Sequence, residues 1–315
     1  MNDQDKHLLT PDQAFGGQPL SVGIQSVLFN NELAAVDRSL AAIARAAELA
    51  VAAGVCTEVS VHYGDCSSSA CLTDKELSRF RERYGRAMRI DYQFFNENLG
   101  HAGGQNRISA SNAADMILIQ NPDVVVSPRL FEVMLSVFAQ ADVGVVEAKQ
   151  LPIEHPKDYD PRSGETGWAS GACVMIPAPL FRQLGGFDAD SFFMQCDDVD
   201  FSWRVRLAGF KIIFQPAAAV MHDKRLAKDG GWQPTEAEKY YSAEAALLLA
   251  YKWSRPDLTA EYLEHYKQSS AEHLLRAARE FEKRQAEGRL PEPIDSEHRI
   301  GRFNDGLYAK HRFPL

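Results

Sequence analysis

The stretch Phe192 to Phe210, FFMQCDDVDFSWRVRLAGF, concentrates the potential chemistry of this sequence. Three carboxylates, Asp197, Asp198 and Asp200, follow an aromatic pair and open a segment with helical spacing. Val199, Trp203 and Leu207 recur at that spacing as the apolar stripe of an amphipathic helix, Arg204 and Arg206 sit among them, and Gly209 supplies a stop. Acids at a helix start are favoured by its unpaired N–H groups and dipole. Three of them beside bulky aromatics exceed what capping requires. At least one is therefore a candidate for what carboxylates do best, taking a proton or holding a cation.

Other candidates fall where apolar runs end. DMILIQ runs into Asn121-Pro122-Asp123, a proline-stiffened loop whose oxygens suit a hard divalent cation and which is equally a good β-turn. His222 closes AAAVMH, as a nitrogen ligand or as a structural histidine. In NENLGHAGGQN, residues 96–106, Gly100, Gly103 and Gly104 permit close backbone approach, as a nucleotide-binding loop needs. That loop matches neither the P-loop nor the dinucleotide fingerprint, which disfavours both of those folds.

The elements that would carry these residues alternate. SVGIQSVLFN reads as a buried strand and Glu32 to Ala53 as an Ala-rich helix. TEVSVHYG is a second strand, and Thr73 with Glu76 forms a capping box for a helix to about Tyr84. MRIDYQFF is a third strand, followed by the glycine loop and a helix across Ile108 to Ala114, then by DMILIQ as a fourth. This alternation predicts an α/β fold with a doubly wound, mostly parallel sheet flanked by helices. Such sheets bind ligands beyond the carboxyl ends of their strands. Asn30, Asp65 with the serines after it, the 96–106 loop and Asp123 all fall at such ends. Later strands are expected at VGVVEAKQ, WASGACVMI, KIIFQ and AAAVMH, and a charged helical extension from about residue 234.

With 45% hydrophobic and 24% charged residues in 315, the profile is that of a soluble globular protein. A formal charge of −9 argues against nucleic acid as a partner. The five cysteines show no Cys-x-x-Cys, and their odd number argues against a disulfide framework, so a reducing cytoplasm is expected. Residues 1–20 read as a flexible leader without the apolar run of a signal peptide, and no stretch approaches the ~20 apolar residues of a membrane helix. Any membrane contact would be peripheral, at the inner face.

Taken in order, LFNNE, GDCSSS, NLGHAGGQN, IQNPDVVV and GGFDADSFFMQCDDVDFSWRVRLAGF resemble the inverting nucleotide-sugar glycosyltransferases of family 2. The resemblance covers roughly residues 21–225 and is most specific in the last segment. It implies a GT-A fold over residues 21–233, with a nucleotide-binding half at 21–126 and an acceptor half at 127–233, before the helical extension 234–315. The implied donor contacts are Asn30, Asp65 (near the base), Asn98, Gly100, Gly104, Asn106 and Asn121. Asp123 and His222 would hold a divalent cation, Mg2+ or Mn2+, under the diphosphate, and Asp198 would be the catalytic base. The Asp-x-Asp of the family is here Asn121-Pro122-Asp123, as in its rhamnosyl- and galactofuranosyltransferase-like branch. This points to dTDP-rhamnose or a UDP-sugar as donor and to a glycan or lipid-linked glycan of a bacterial surface polysaccharide as acceptor. The Glu-Asp pair of the family is here Asp197-Asp198.

Helical geometry divides the acids. Neighbouring positions point roughly 100° apart, whereas residues three apart share a face. Asp197 thus lies with Asp200, orienting acceptor hydroxyls or capping the helix, while Asp200 and Arg204 make an i,i+4 ion pair. Asp198 remains for the base. Trp168, ahead of Ser170-Gly171-Ala172, offers either a flat face to an acceptor sugar or a packing surface. The competing readings are a catalytically silent nucleotide- or glycan-binding protein on the same fold and a nucleotidyltransferase. The latter needs a Gly-rich signature where this chain has FNNE.

Overall fold

The computed structural model describes residues 19–223, 233–304 and 306–309; the expected leader lies outside them apart from its last two positions. The core is one eight-stranded sheet in the order β3-β2-β1-β4-β7-β6-β8-β5. Its first half is β1 (Leu20–Leu28), β2 (Cys56–Asp65), β3 (Arg89–Phe94) and β4 (Met116–Gln120), all paired in parallel. The helices α1 (Leu33–Ala52), α2 (Asp74–Tyr84) and α3 (Gly100–Ser109) connect them. The capping box at Thr73 and Glu76 is formed, with each side chain bonded to the other's backbone N–H.

The second half is mixed. β5 (Val124–Val126), α4 (Leu130–Val137) and β6 (Val143–Leu151) precede β7 (Cys173–Pro177), which runs antiparallel to both β4 and β6. After α5 (Ala178–Gln183) and α6 (Asp197–Leu207), β8 (Lys211–His222) returns parallel to β6 and pairs β5 antiparallel. KIIFQ and AAAVMH are thus one strand, not two. The ladder to β6 slips between Gln215 and Ala219, where Pro216 has no N–H to donate. WASGACVMI is a strand only from Cys173, because residues 168–172 turn toward α6 instead.

Helix α6 departs from the expected amphipathic form. Val199 and Trp203 pack on one side against the C-terminal helices, Phe201 and Val205 pack on the other against α5 and the sheet, and Leu207 is exposed. The helix that carries the acids is therefore clamped on both faces, which holds its first turn rigidly. The far clamp is α7 (Glu236–Lys252), α8 (Pro256–Gln268) and α9 (Glu272–Ala286). These helices share one apolar cluster with Trp168, Phe192 and Trp203 of the sheet body. Trp253 is fully buried edge-on to Trp203 at 5.1 Å.

Candidate active site

Residues from three strand or loop ends and from the start of α6 meet in a cavity of about 300 Å³. Asn121 and Asp123 follow β4, His222 ends β8, Ser170 and Gly171 precede β7, and Asp197 and Asp198 open α6. The wall also includes His101, His155, Gln195, Asp223 and Glu238.

Two consecutive residues before the acids, Gln195 and Cys196, adopt φ of 67° and 57°. Left-handed backbone at non-glycine residues costs on the order of 1–3 kcal/mol each, and such strain gathers at functional sites. It is held by the first turn of α3, whose His101 and Ala102 N–H groups donate to the Phe193 carbonyl at 2.9 and 3.4 Å. Gly100 makes this docking possible. Its φ is +67°, and a Cβ there would lie 2.2 Å from the Phe193 oxygen.

The three acids have separate environments. Asp200 is buried and receives Arg204 Nε at 2.8 Å, Trp253 Nε1 at 3.1 Å and Lys252 Nζ at 2.7 Å. The ion pair expected with Arg204 is present, and it belongs to a larger junction with α7. Asp197, also buried, meets His101 Nδ1 at 2.5 Å. Asp198 is partly buried; its Oδ2 accepts the Gly171 N–H and its Oδ1 the Val199 N–H, each at 2.8 Å. Burial and the neighbouring Asp197 charge raise the Asp198 carboxyl to about 6, against the pull of those two N–H groups and of His101. A carboxylate with that proton affinity is a stronger base than an exposed one.

Asp123 and His222 form the other chemical face. His222 Nδ1 donates to the Gln150 amide oxygen at 2.8 Å, which orients the ring so that Nε2 faces Asp123 Oδ1 at 3.3 Å. Among the described residues no cluster of three or more His, Cys, Asp or Glu side chains could hold a metal by itself. A carboxylate and an imidazole nitrogen fit a cation that takes its remaining ligands from phosphate oxygens and water. The support beneath is continuous. Gln150 Nε2 donates to Ser170 Oγ at 3.2 Å, and the Ser170 N–H donates to Glu147 at 3.0 Å. Glu147 is paired with Lys157 in the interior.

The other sequence candidates lie elsewhere. Asn30 and Asn98 are exposed at the ends of β1 and at the start of α3; the Asn30 N–H donates to Ser67 Oγ at 2.8 Å. Asp65 is buried and accepts from Ser67 N, Cys71 N and Tyr92 Oη at 3.0, 2.6 and 2.6 Å. Burial works against its charge, but these hydrogen bonds prevail and hold its carboxyl below the usual value. Gly104 and Asn106 lie within α3, because the 96–106 segment is not one loop but the approach to a helix beginning at Gly100. Gly104 lets that helix approach β1, and Asn106 clasps the Phe187 backbone through both amide atoms, at 2.7 and 2.9 Å. Trp168 is in the core, edge-on to His155 and Tyr308 with the Lys157 ammonium 4.2 Å from its ring. Sequence reasoning missed His101, His155, Gln150, Asp223 and Glu238. For His101 a signal existed, a lone imidazole inside the glycine-rich stretch, but its partner Asp197 is 96 positions away.

No family model matches the chain. Over 95 residues it is 38% identical to N-acetylglucosaminyl-diphospho-decaprenol L-rhamnosyltransferase of Mycobacterium tuberculosis, in both the CDC 1551 / Oshkosh and H37Rv strains. The match spans 30% of this chain and 30% of the length of those relatives. Among solved structures, GalNAc-T7 with UDP, GalNAc and Mn2+ superposes with a TM-score of 0.60 at 13% identity, covering 87% of this chain and 56% of that one. The mannosyltransferase PcManGT of Pyrobaculum calidifontis with GDP-Man and Mn2+ does so at 0.52 and 15%, covering 89% and 84%. These likenesses show the fold, which is GT-A, as the motif resemblance implied.

Proposed function

We propose that this chain is a glycosyltransferase that moves a sugar from a nucleotide-diphosphate donor to a glycan or lipid-linked glycan acceptor with inversion. The observation that supports this most is the meeting of Asp123 and His222 with Asp197 and Asp198 in one cavity. The local likeness to a rhamnosyltransferase, together with Asn121-Pro122-Asp123, favours dTDP-rhamnose over UDP-sugars as donor and a role in bacterial surface polysaccharide synthesis. On this reading a lipid-linked acceptor is met at the inner face of the membrane by peripheral contact; among the described residues no helix is long and apolar enough to cross a membrane.

In this mechanism Asp198 takes the proton of the acceptor hydroxyl as its oxygen bonds to the anomeric carbon and the bond from that carbon to the diphosphate breaks. One displacement opposite the leaving group inverts the centre. The Gly171 and Val199 N–H groups fix the Asp198 carboxylate and leave its remaining lone pairs for that proton. Asp123 and His222 would hold the divalent cation, which when bound supplies positive charge to the departing diphosphate. Calorimetric titration with dTDP-rhamnose, UDP-galactofuranose, UDP-hexoses and GDP-mannose, with and without Mn2+ or Mg2+, tests the reading. Binding of at least one nucleotide sugar is expected, and binding of none would refute it.

A further inference from the structure

His101 has no place in the mechanism above, yet it is the neighbour best placed to govern it. Its backbone N–H docks α3 on Phe193, its ring lines the cavity, and its Nδ1 meets Asp197 at 2.5 Å. Its Nε2 is closed off from solvent and has no hydrogen-bond partner among the described residues. Gly171, whose N–H holds Asp198, sits directly between the two groups. A Cβ built on it would lie 3.3 Å from His101 Cε1 and 3.7 Å from Asp198 Oδ2. The imidazole and both acids therefore share one small volume.

We propose that His101 is a positioning residue for the transfer: bonded to Asp197 from the neighbouring helix, it occupies that carboxylate and leaves Asp198 as the one acid of the pair that takes the proton. The proposal rests on the glycosyltransferase reading for its purpose but not for its test. Two adjacent carboxylates in a buried site cannot both hold a full charge without a cation beside them. His101 supplies it. Burial opposes protonation of its ring, but the Asp197 charge and hydrogen bond, with Asp198, prevail and raise its proton affinity above that of a free imidazole. The imidazolium in turn favours the ionised form of Asp198. The opposing cation on the far side of α6 is already committed, since Arg204 and Lys252 bind Asp200. Around the same cavity stand Asp123, His155, His222, Asp223 and Glu238, and the Cys196 thiol is buried neutral behind the acids, its proton affinity raised by burial and by the acids' charges.

The direction of the effect follows. With the imidazolium gone, Asp197 faces Asp198 uncompensated and Asp198 holds its proton to a higher pH. Carbon-13 NMR titration of the aspartate carboxyl carbons in the full chain reads this without any substrate. In His101→Phe, and in His101→Gln, which keeps a donor toward Asp197 but no charge, the Asp198 midpoint is expected to rise by about one pH unit. A single cooperative thermal transition in each variant would establish that both fold. An Asp198 midpoint that stays put in two folded variants would overturn the proposal. With an active donor–acceptor pair, the acidic limb of kcat/KM should move up in parallel. Loss of transfer at every pH with no movement of the midpoint would make His101 the base and would also overturn it. A wild-type chain that transfers no sugar would sink the glycosyltransferase reading alone, because the titration still reports whether His101 governs Asp198.

Discussion

Asp200 gives the sharpest stability prediction. Its carboxylate is buried and receives Arg204, Lys252 and Trp253 at 2.8, 2.7 and 3.1 Å, so it joins α6 to the C-terminal helices through a single group. Asp200→Asn preserves the shape but turns one oxygen into a donor that faces donors, and leaves Arg204 and Lys252 in a buried site with only the Asp188 carboxylate beside them. Lys252 keeps Asp188 at 2.8 Å, which limits the loss on its side. Arg204 keeps the Leu184 and Gly186 carbonyls and the Phe201 ring, none of which carries a charge. Breaking a buried charge pair by removing one partner costs about 3–5 kcal/mol. For 315 residues the entropy of unfolding is about 0.7 kcal/mol/K, which converts that loss to a fall in Tm of about 4–8 °C. The conversion holds if sheet body and helices unfold together, as their common apolar cluster implies. Differential scanning calorimetry measures both the shift and the single transition. A fall of less than 2 °C would refute the claim that Asp200 is the junction, and two resolved transitions would refute the shared unfolding.

Gly104→Ala sets a gain in helix propensity of about 1 kcal/mol against a collision. The new Cβ would lie 2.7 and 3.1 Å from the two methyls of Val27, so a net loss of about 1–3 kcal/mol is expected in urea unfolding, and stabilisation would contradict it. Asp65 has its folded proton affinity lowered, so its stabilising contribution is present above the unfolded value of about 4 and is lost as pH falls through the folded one. The Tm difference between the wild type and Asp65→Asn should accordingly narrow below about pH 4, and a difference independent of pH would refute it. Gln150→Leu removes the acceptor that fixes the His222 tautomer. Mn2+ affinity measured by calorimetry with a nucleoside diphosphate present should weaken about 10–100-fold, and an unchanged affinity would refute the role.

Local signals in the sequence survived into the structure where neighbours along the chain decide the outcome. The Thr73 capping box and the Asp200–Arg204 pair need only three or four residues of spacing, and both are formed. The parallel half of the sheet was legible because strands and helices alternate in short periods. Elsewhere tertiary contacts decided. Glycines in the 96–106 segment read as loop, yet Gly104 serves a helix pressed on Val27, and only the partner strand reveals that use. Leu207 follows the apolar stripe of α6 but is exposed, while Phe201 and Val205 off that stripe are buried, because the helix is sandwiched. Glu244 and Lys252 are charges set in the otherwise apolar stretch 243–253. They are among its ties, to Arg284 at 3.2 Å and to Asp188 and Asp200. In the site, residue types exposed the acids and Asp123, whereas His101 and Gln150 emerge only from contacts 96 and 72 positions apart.

If Asp198 is the base of a sugar transfer, its loss slows the chemical step and leaves the donor bound. Steady-state transfer from dTDP-rhamnose, or whichever nucleotide sugar binds, reads this in wild type, Asp198→Asn and Asp197→Asn with donor affinity measured alongside. Asp198→Asn is predicted to lower kcat/KM by about 10²–10⁴ while donor binding persists, and Asp197→Asn to cost less. Near-normal transfer in Asp198→Asn with transfer abolished in Asp197→Asn would contradict the account.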